Sequence, residues 1–489
     1  MTLKLYNSLT RQEEIFESLE PYKIKMYICG VTVYDYCHLG HARSYIVWDT
    51  IRRYLMWQGY QVRYVQNFTD IDDKIINRAK ETGSSMDLVS KRFTQAYFED
   101  MKRLNVLEAD EYPRATHKIN EIKYLIHDLE KKGFAYPSGG DVYYRVREFS
   151  EYGKLSGRRL EEMQAGASGR VESEDLEIAK KKDPLDFALW KAAKTGEPAW
   201  DSPWGKGRPG WHIECSAMVQ DSLGETIDIH GGGADLIFPH HENEIAQSEA
   251  FTGKPLAKYW LHNGFVTING EKMSKSLGNF TTIRDLLDKP VDPMAVRMFV
   301  LTAQYRKPID FTEKAIASAE NGWNTIKEGI LFADQYGSQL GWEAPEKTLS
   351  EQTKLLTFQV EKFQKAMDDD INTPGALAVL FELAKDLRRE GNFLVHEGIN
   401  KTPLEELQKQ WVTLVKLSQV LGLQVKIDKQ VSSVPLDLTD AKIEFLVQQR
   451  LKAKKTKNYS EADRIRNDLQ NQGIKLIDKP NEITHWHRN

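Results

Sequence analysis

Two histidines flank a glycine at a point where the sequence predicts a strand followed by a helix. Residues 24–29, which are apolar except for Lys25, are typical of a buried strand, and apolar residues recur at helical spacing after His41. His38 and His41 therefore lie where backbone N–H groups and the positive end of a helix can face an anion. Gly40, between them, would let a ligand approach the backbone closely. A pair of surface loop histidines is the alternative interpretation of this spacing.

Four side chains with metal-binding atoms are far apart in the sequence but fall at predicted edges of one sheet. Cys29 ends the first strand, and Cys215 lies near the start of a helix. His240 and Glu244 are one helical turn apart and share a face. Thiolates with an imidazole favour Zn²⁺ in tetrahedral geometry. Buried cysteines usually act as small apolar residues, so the spacing alone leaves both interpretations open.

Three further segments could contact a ligand. The three glycines at 231–233 would let a planar ligand lie against the backbone. Asp235 is placed to accept a hydrogen bond from a ribose hydroxyl, although a turn-forming aspartate is the alternative. The acidic cluster at 70–73 would cap a helix or bind a substrate amine or Mg²⁺. A loop at 272–276, Lys-Met-Ser-Lys-Ser, follows a predicted turn.

The composition is that of a multidomain globular protein. A chain of 489 residues is too long for one core and suggests roughly two to four domains. Apolar and charged fractions of 40% and 28% are ordinary for a soluble protein. Three cysteines, with no signal or transit character near the start, favour a reducing compartment, and we expect a cytoplasmic protein. No run approaches the length of a membrane span, so no membrane partner is expected.

The net charge of −4 hides an asymmetry. Residues 441–489 carry eleven Lys and Arg against six Asp and Glu, which makes this tail +5 and the remainder −9. A basic tail on an acidic body fits contact with a polyanion at one end, and a solvated helical face is the alternative.

Strands alternate with helices between residues 22 and 110, and this pattern predicts a parallel sheet that binds ligands at the carboxyl ends of its strands. From 113 to 200 the pattern changes to a helix, a hairpin and a charged stretch, which predicts an insertion. Later strands are expected at 226–229 and 264–268, and Pro239 is expected to open a helix. Amphipathic segments between 312 and 422 predict an all-α bundle.

The His38–His41 segment and the Lys-Met-Ser-Lys-Ser segment together resemble the two signatures of class I aminoacyl-tRNA synthetases, with Leu39 in place of the usual isoleucine. The residues around Cys29, at 211–215 and at 230–244 resemble those of the cysteinyl-tRNA synthetase family, over nearly the whole chain. The resemblance implies one zinc ion per chain. Its implied ligands are Cys29, Cys215, His240 and Glu244, whereas Cys37, His230 and His241 are not ligands.

The resemblance further implies that ATP and L-cysteine form cysteinyl adenylate, and that the cysteine then passes to the terminal ribose of tRNA-Cys. Mg²⁺ would accompany ATP. The implied catalytic residues are His38, His41, Lys272 and Lys275, and the implied ATP-binding residues are His38, Gly40, His41, Gly232, Asp235 and Lys275. Gly30, Thr69 and Trp211 are expected to contact the substrate cysteine. We expect a monomer.

The expected fold class is α/β, with a Rossmann-like catalytic domain interrupted by an insertion. The expected domains are the first catalytic half (1–112), the insertion (113–200), the second catalytic half with the Lys-Met-Ser-Lys-Ser loop (201–281), a stem-contact region (282–320), a helical bundle (321–430) and a C-terminal anticodon-binding domain (440–489). Tail residues that fit phosphate contact and base stacking are Arg450, Lys454, Tyr459, Arg466 and Trp486.

Three other functions compete with this one. A related ligase that acylates a small amino-sugar with cysteine would keep the fold, but it would not need the basic tail. A zinc-dependent hydrolase is suggested by residues 240–242, but the chain lacks a His-Glu-x-x-His pattern. A nucleic-acid-binding module with a structural zinc would leave His38 and His41 without a role.

Overall fold

The computed structural model describes residues 2–162, 180–273, 279, 281–349, 354–425, 440–456, 458–471, 474–479 and 483–488. These residues form two compact units. The larger comprises Met1–Arg388 and Leu404–Gln424, and the smaller comprises Arg389–Pro403 and Val425–Asn489. None of the helices in these ranges has both the length and the apolar character that crossing a membrane requires.

The strands are β1 (Lys4–Asn7), β2 (Gln12–Ile15), β3 (Lys23–Ile28), β4 (Gln61–Gln66), β5 (Ala135–Ser138), β6 (Asp141–Tyr144), β7 (Phe187–Ala192), β8 (Gly207–Pro209), β9 (Ile227–Gly233), β10 (Ala257–Asn263), β11 (Val266–Ile268), β12 (Glu271–Lys272), β13 (Ile309–Phe311), β14 (Ile474–Lys479) and β15 (Ile483–Arg488).

The α-helices are α1 (Leu39–Trp57), α2 (Asp73–Thr82), α3 (Met86–Arg103), α4 (Ile119–Lys131), α5 (Trp211–Leu223), α6 (Glu242–Thr252), α7 (Ile283–Leu287), α8 (Pro293–Leu301), α9 (Glu313–Ile330), α10 (Phe332–Tyr336), α11 (Pro345–Thr348), α12 (Thr357–Met367), α13 (Thr373–His396), α14 (Leu404–Val420), α15 (Asp440–Lys455) and α16 (Tyr459–Asn471).

A four-stranded parallel sheet in the order β10–β9–β3–β4 forms the centre of the larger unit. Ile28, at the end of β3, lies opposite Gly231 on one side and Gln66 on the other. The segments that follow β3 and β4 therefore leave the sheet at the same edge, as expected for an α/β fold. The predicted Rossmann-like fold class is confirmed.

The insertion is an antiparallel sheet in the order β5–β6–β7–β8, preceded by α4. Its last strand, β8, lies beyond residue 200, where the sequence pattern placed the end of the insertion. The C-terminal part of the smaller unit packs α15 and α16 against the β14–β15 hairpin. Its core side chains are Ile443, Val447, Ile465, Leu469, Ile474 and Leu476.

Polar residues at their first turns explain where several helices begin. Asp72 caps α2 by accepting from the Lys74 N–H, and Asp292 caps α8 ahead of Pro293. Thr282 caps α7 in a reciprocal capping box with Asp285. For Asp72, the capping alternative for the acidic cluster is therefore the one that the structure adopts.

Two sequence-based expectations about the elements were wrong. Strand β9 continues through the three glycines instead of ending at residue 229. The last strand of the main sheet is β10, whereas β11 pairs in parallel with β13 in a separate sheet. Phe238, in the turn Ile237–His241, has an extended backbone, and the chain is helical from Pro239 into α6, as expected for a proline that opens a helix. The β1–β2 hairpin had no prediction at all.

Candidate active site and metal centre

The carboxyl edge of the central sheet brings the four predicted metal ligands together. Cys29 follows β3 directly, and its N–H donates to the Gly231 carbonyl on the neighbouring strand at 3.2 Å. Cys215 lies in the first turns of α5, and Glu244 lies in the first turn of α6. One ligand atom from each of these residues and His240 lies within 4.8 Å of every other, and all four side chains are buried.

The distances between these atoms match a tetrahedral zinc site. The two thiol sulfurs are 4.0 Å apart, Cys29 Sγ lies 3.4 Å from Glu244 Oε1, and His240 Nε2 lies 3.0 Å from the same oxygen. Typical zinc bond lengths predict tetrahedral edges of about 3.8 Å between sulfurs, about 3.5 Å from sulfur to oxygen and about 3.3 Å from nitrogen to oxygen. The donor set and its spacing therefore fit Zn²⁺.

The side chains of the cluster shift one another's pKa values. The hydrogen bond with Cys29 lowers the pKa of Cys215 to about 6, against the opposing effect of burial. Burial and the same pairing raise the pKa of Cys29. Burial would lower the pKa of His240, but the charges of Glu244 and Cys215 raise it to about 9. A thiolate and a carboxylate thus lie at one buried point, an arrangement that a divalent cation stabilises.

Neighbouring histidines orient the ligands. His212 Nδ1 lies 2.9 Å from His240 Nδ1, so the Nε2 atom of His240 faces the cluster. His230 Nε2 lies 2.9 Å from Glu244 Oε2, the oxygen that faces away from His240. His230 and His241 also form an alternative ligand group with Cys29 and Glu244.

His38 and His41 form the amino-terminal cap of α1. The Nδ1 atom of His38 accepts from the Gly40 N–H at 3.0 Å, and the Nδ1 atom of His41 accepts from the His38 N–H at 3.1 Å. The two rings stack with their centroids 3.7 Å apart. Burial lowers the pKa of His41 well below its ordinary value, and the electrostatic effects of His38 and Lys74 act in the same direction, so its ring is neutral. A neutral ring that accepts at Nδ1 carries its proton on Nε2, which makes His41 a hydrogen-bond donor there.

The predicted site glycines lie where neighbouring atoms leave no room for a side chain. A Cβ on Gly30 would lie 1.6 Å from the Asn67 carbonyl oxygen, and one on Gly40 would lie 2.8 Å from the His38 ring. A Cβ on Gly232 would lie 2.9 Å from the His241 ring. These contacts give each glycine a packing reason that is independent of any ligand.

Comparison with known proteins identifies the family of this chain. Residues 15–321 match the catalytic domain of class I tRNA synthetases (C), and residues 362–426 match the DALR domain. A cysteine–tRNA ligase of Trichodesmium erythraeum (strain IMS101) is 83% identical over 489 residues, which are all of both chains. The chain belongs to the cysteine–tRNA ligase family. A cysteine–tRNA ligase of Synechocystis sp. (strain ATCC 27184 / PCC 6803 / Kazusa) is 62% identical over 488 residues, at 100% of both chains.

The likeness of this cysteine–tRNA ligase family member to solved structures supports the fold. Mycobacterium tuberculosis methionyl-tRNA synthetase in complex with methionyl-adenylate aligns with a TM-score of 0.55 at 16% identity, covering 82% of this chain and 90% of that one. A putative arginyl-tRNA synthetase from Campylobacter jejuni aligns with a TM-score of 0.55 at 14% identity, covering 84% and 94%.

The three residues expected to contact substrate cysteine lie around the metal cluster. The Trp211 ring stacks on His240 with the centroids 4.1 Å apart. Thr69 is 2% exposed, and its backbone bridges to Thr32 in the segment after Cys29. The Thr69 hydroxyl also hydrogen-bonds Glu214, a buried carboxylate whose pKa burial raises well above its ordinary value. No sequence signal had distinguished Glu214.

The remaining predicted nucleotide contacts are only partly described. Asp235 lies in a short 3₁₀ turn after β9, with an exposed side chain. Lys272 ends β12, and its side chain is not among the described parts of the chain. Lys275 lies outside the described residues altogether.

Two side chains that the sequence analysis missed connect the insertion to α6. Glu242 accepts from the N–H groups of Gly153 and Ser156 at 3.0 and 2.7 Å. Asn243 accepts from the Tyr152 hydroxyl. Both anchors lie between the candidate metal ligands His240 and Glu244 in the sequence. They could not have been distinguished from exposed polar residues, because the partners are about ninety residues away.

The basic tail differs in one respect from the expectation. Arg450 is only 2% exposed, so it is not placed for contact with a phosphate backbone. Tyr459 is 62% exposed, and Arg466 is also exposed. Lys454 is half-buried. The Trp486 indole N–H donates to Glu444 at 3.0 Å.

Proposed function

We propose that this protein activates L-cysteine with ATP and transfers it to the terminal ribose of tRNA-Cys. The observation that carries the proposal is the buried Cys29–Cys215–His240–Glu244 cluster at the same sheet edge as the histidine cap of α1. The metal cluster would select a thiol, and the histidine cap would offer hydrogen-bond donors to an anion. The proposed reaction needs both. The family membership of the full chain supports the same activity.

Cys29, Cys215, His240 and Glu244 would hold the zinc ion, and Trp211 would cover the site from its position over His240. When bound, zinc supplies a Lewis acid that prefers the substrate sulfur to a hydroxyl oxygen and stabilises its thiolate. A site that requires one specific atom rejects an analogue lacking it by about 10⁴–10⁵-fold. Selection against serine would then need no editing domain. Thr69 and Gly30 would contact the amino-acid backbone.

The ATP phosphates would lie at the amino end of α1, where His38 and His41 present Nε2–H donors. Gly40 and Gly232 would flank the nucleotide, and Asp235 would accept from its ribose. Lys272 and Lys275 would neutralise the charge that develops on the β and γ phosphates, with Mg²⁺ bound to ATP. The protein's contribution is alignment and charge stabilisation, since the substrate carboxylate itself attacks the α-phosphate.

The tRNA would be held outside the sheet domain, and the chain would act as a monomer in the cytoplasm. We propose that residues 282–320 contact the acceptor stem, that the helical bundle at 321–430 supports the tRNA, and that residues 440–489 bind the anticodon. The charge of +5 on residues 441–489 and the exposed Tyr459 and Arg466 support this assignment.

One pair of assays tests the proposal. Cysteine-dependent ATP–pyrophosphate exchange measures adenylate formation, and charging of tRNA-Cys measures transfer. Exchange with cysteine and not with serine, followed by charging, is the expected result. Exchange without charging would instead indicate the small amino-sugar as acceptor, and absence of both would refute the proposed activity. Metal analysis of the same preparation should give one zinc per chain.

A further inference from the structure

The segment before α1 and the segment that begins α7 are paired directly, although they are about 245 residues apart. The Ile283 N–H donates to the Cys37 carbonyl at 2.8 Å, and the Leu39 N–H donates to the Thr281 carbonyl at 3.3 Å. His38 and Thr282 form the antiparallel bridge between these two bonds. The backbone of His38 is therefore held by the first residues of α7.

Arg284 is the next residue along α7, and it ties this end of the helix to α3. Its Nη2 donates to the Ala96 carbonyl at 3.2 Å and contacts Glu99 Oε2 at 2.5 Å. Its Nε lies 3.0 Å from Asp100 Oδ1. The guanidinium group also lies over the Tyr36 ring, 5.0 Å from the centroid. One side chain thus contacts α3 at three residues and also the segment that leads into His38.

Tyr36 is held in turn from its other sides. Its ring meets Phe93 of α3 edge-on at 5.2 Å, and its hydroxyl accepts from Arg92 at 3.1 Å. The Tyr36–Cys37–His38 segment is therefore held by α3 through Tyr36 and by the start of α7 through the backbone. Arg284 belongs to α7 and contacts both α3 and the Tyr36 ring.

We propose that Arg284 is a positioning residue for adenylate formation, which holds His38 in register for the nucleotide through the paired backbone of residues 37–39 and 281–283. This inference rests on the proposed function. A displacement of about 1 Å in a reacting group can cost on the order of 100-fold in rate, so a residue that contacts no substrate can still control turnover.

Lysine cannot replace arginine in this position. The planar guanidinium contacts Ala96 and Glu99 through Nη2 and Asp100 through Nε, while its face covers an aromatic ring. An ammonium group is a single point charge, which can satisfy the acids but cannot cover Tyr36 in the same way. We therefore expect Arg284→Lys to keep most of the attraction between α3 and α7 but to hold His38 in position much less well.

Arg103 offers a matched control in the same pair of helices. It lies at the end of α3, donates to Asp288 Oδ1 at 2.9 Å and contacts the Leu287 carbonyl at the far end of α7. Arg103→Ala therefore removes a comparable link between α3 and α7 without touching the paired segments. The two arginines are also similarly exposed, with 38% for the Arg103 side chain and 28% for Arg284.

The test compares Arg284→Ala, Arg284→Lys and Arg103→Ala as full-length, zinc-loaded proteins. We expect Arg284→Ala to lower kcat of cysteine-dependent ATP–pyrophosphate exchange by about 10- to 100-fold. The KM for cysteine, the zinc content and the melting temperature should stay at the level of Arg103→Ala. Arg284→Lys should match that melting temperature but recover little of the lost kcat.

Equal kcat values for Arg284→Ala and Arg103→Ala would overturn the inference, as would full recovery of kcat by lysine. A loss that appears only as lower zinc content or lower melting temperature would make Arg284 merely structural. Absence of exchange in the wild-type protein would refute the proposed function instead, so the two failures are distinguishable.

Discussion

Replacement of Asp100 by asparagine should make the protein more stable above neutral pH. Asp100 is 1% exposed, and neither of its carboxylate oxygens has a well-aligned hydrogen bond within the described part of the chain. Burial raises its pKa from 3.8 to about 6, although Arg284 and Arg103 oppose this shift. The charged carboxylate is therefore held in the folded protein at a cost in free energy.

The size of that cost follows from the two pKa values. Because the folded state binds the proton more tightly than the unfolded chain, the charged form of Asp100 destabilises the folded state. At 1.36 kcal/mol per pKa unit, the difference between 3.8 and about 6 corresponds to about 3 kcal/mol above pH 7. The cost falls as the folded state takes up the proton, to about half of that value at pH 5 and to a small fraction of it at pH 4.

Thermal unfolding of the wild type and Asp100→Asn at about pH 8 and about pH 5 measures this effect. The variant should have the higher melting temperature at both, with the larger increase at the higher pH. Glu99→Gln is the control, because that carboxylate is exposed and Arg284 lowers its pKa. It should give no increase. An increase for Asp100→Asn that does not depend on pH, or a decrease at the higher pH, would refute this account of the buried carboxylate.

Four other predictions test the site. Cys29→Ser should lower zinc content and cysteine activation together, and an unchanged zinc content would remove Cys29 from the ligand set. Zinc removal by a chelator should abolish cysteine activation, and full selectivity for cysteine over serine after removal would contradict the role of the metal. Gly30→Ala should weaken cysteine binding and lower the melting temperature, because its Cβ would lie 1.6 Å from the Asn67 carbonyl oxygen. An unchanged affinity and melting temperature would mean that the segments containing Gly30 and Asn67 move apart at no cost. Lys275→Ala should lower the turnover of adenylate formation with zinc intact, and a normal turnover would contradict its assigned role.

The sequence predicted the fold class and the sheet edge of the site because both depend on local patterns. The apolar run before Cys29 and the helical spacing after His41 define a strand and a helix, and parallel strands bring their carboxyl ends together. The extent of β9 could not be predicted in this way, since glycines are depleted in strands. Here Gly231 lies where the Trp48 ring leaves no room for a side chain, which is a tertiary contact.

Long-range partners account for the other differences. The charge pattern of the tail cannot distinguish an exposed arginine from Arg450, which is buried. The sequence also could not predict that His38 and His41 cap a helix through their Nδ1 atoms, because histidine is not among the residues that favour this position. The role of Arg284 depends on α3, which lies about 185 residues earlier in the chain.

The anchoring of the insertion by Glu242 and Asn243 limits how this enzyme can be re-engineered. A chimera that exchanges the insertion for that of a relative would leave Glu242 buried without the backbone N–H groups of Gly153 and Ser156. An unpaired buried carboxylate tends to rotate or to draw in water, and Glu242 lies between the candidate metal ligands His240 and Glu244 in the sequence. A successful graft must therefore bring its own loop of N–H donors, or replace Glu242 at the same time.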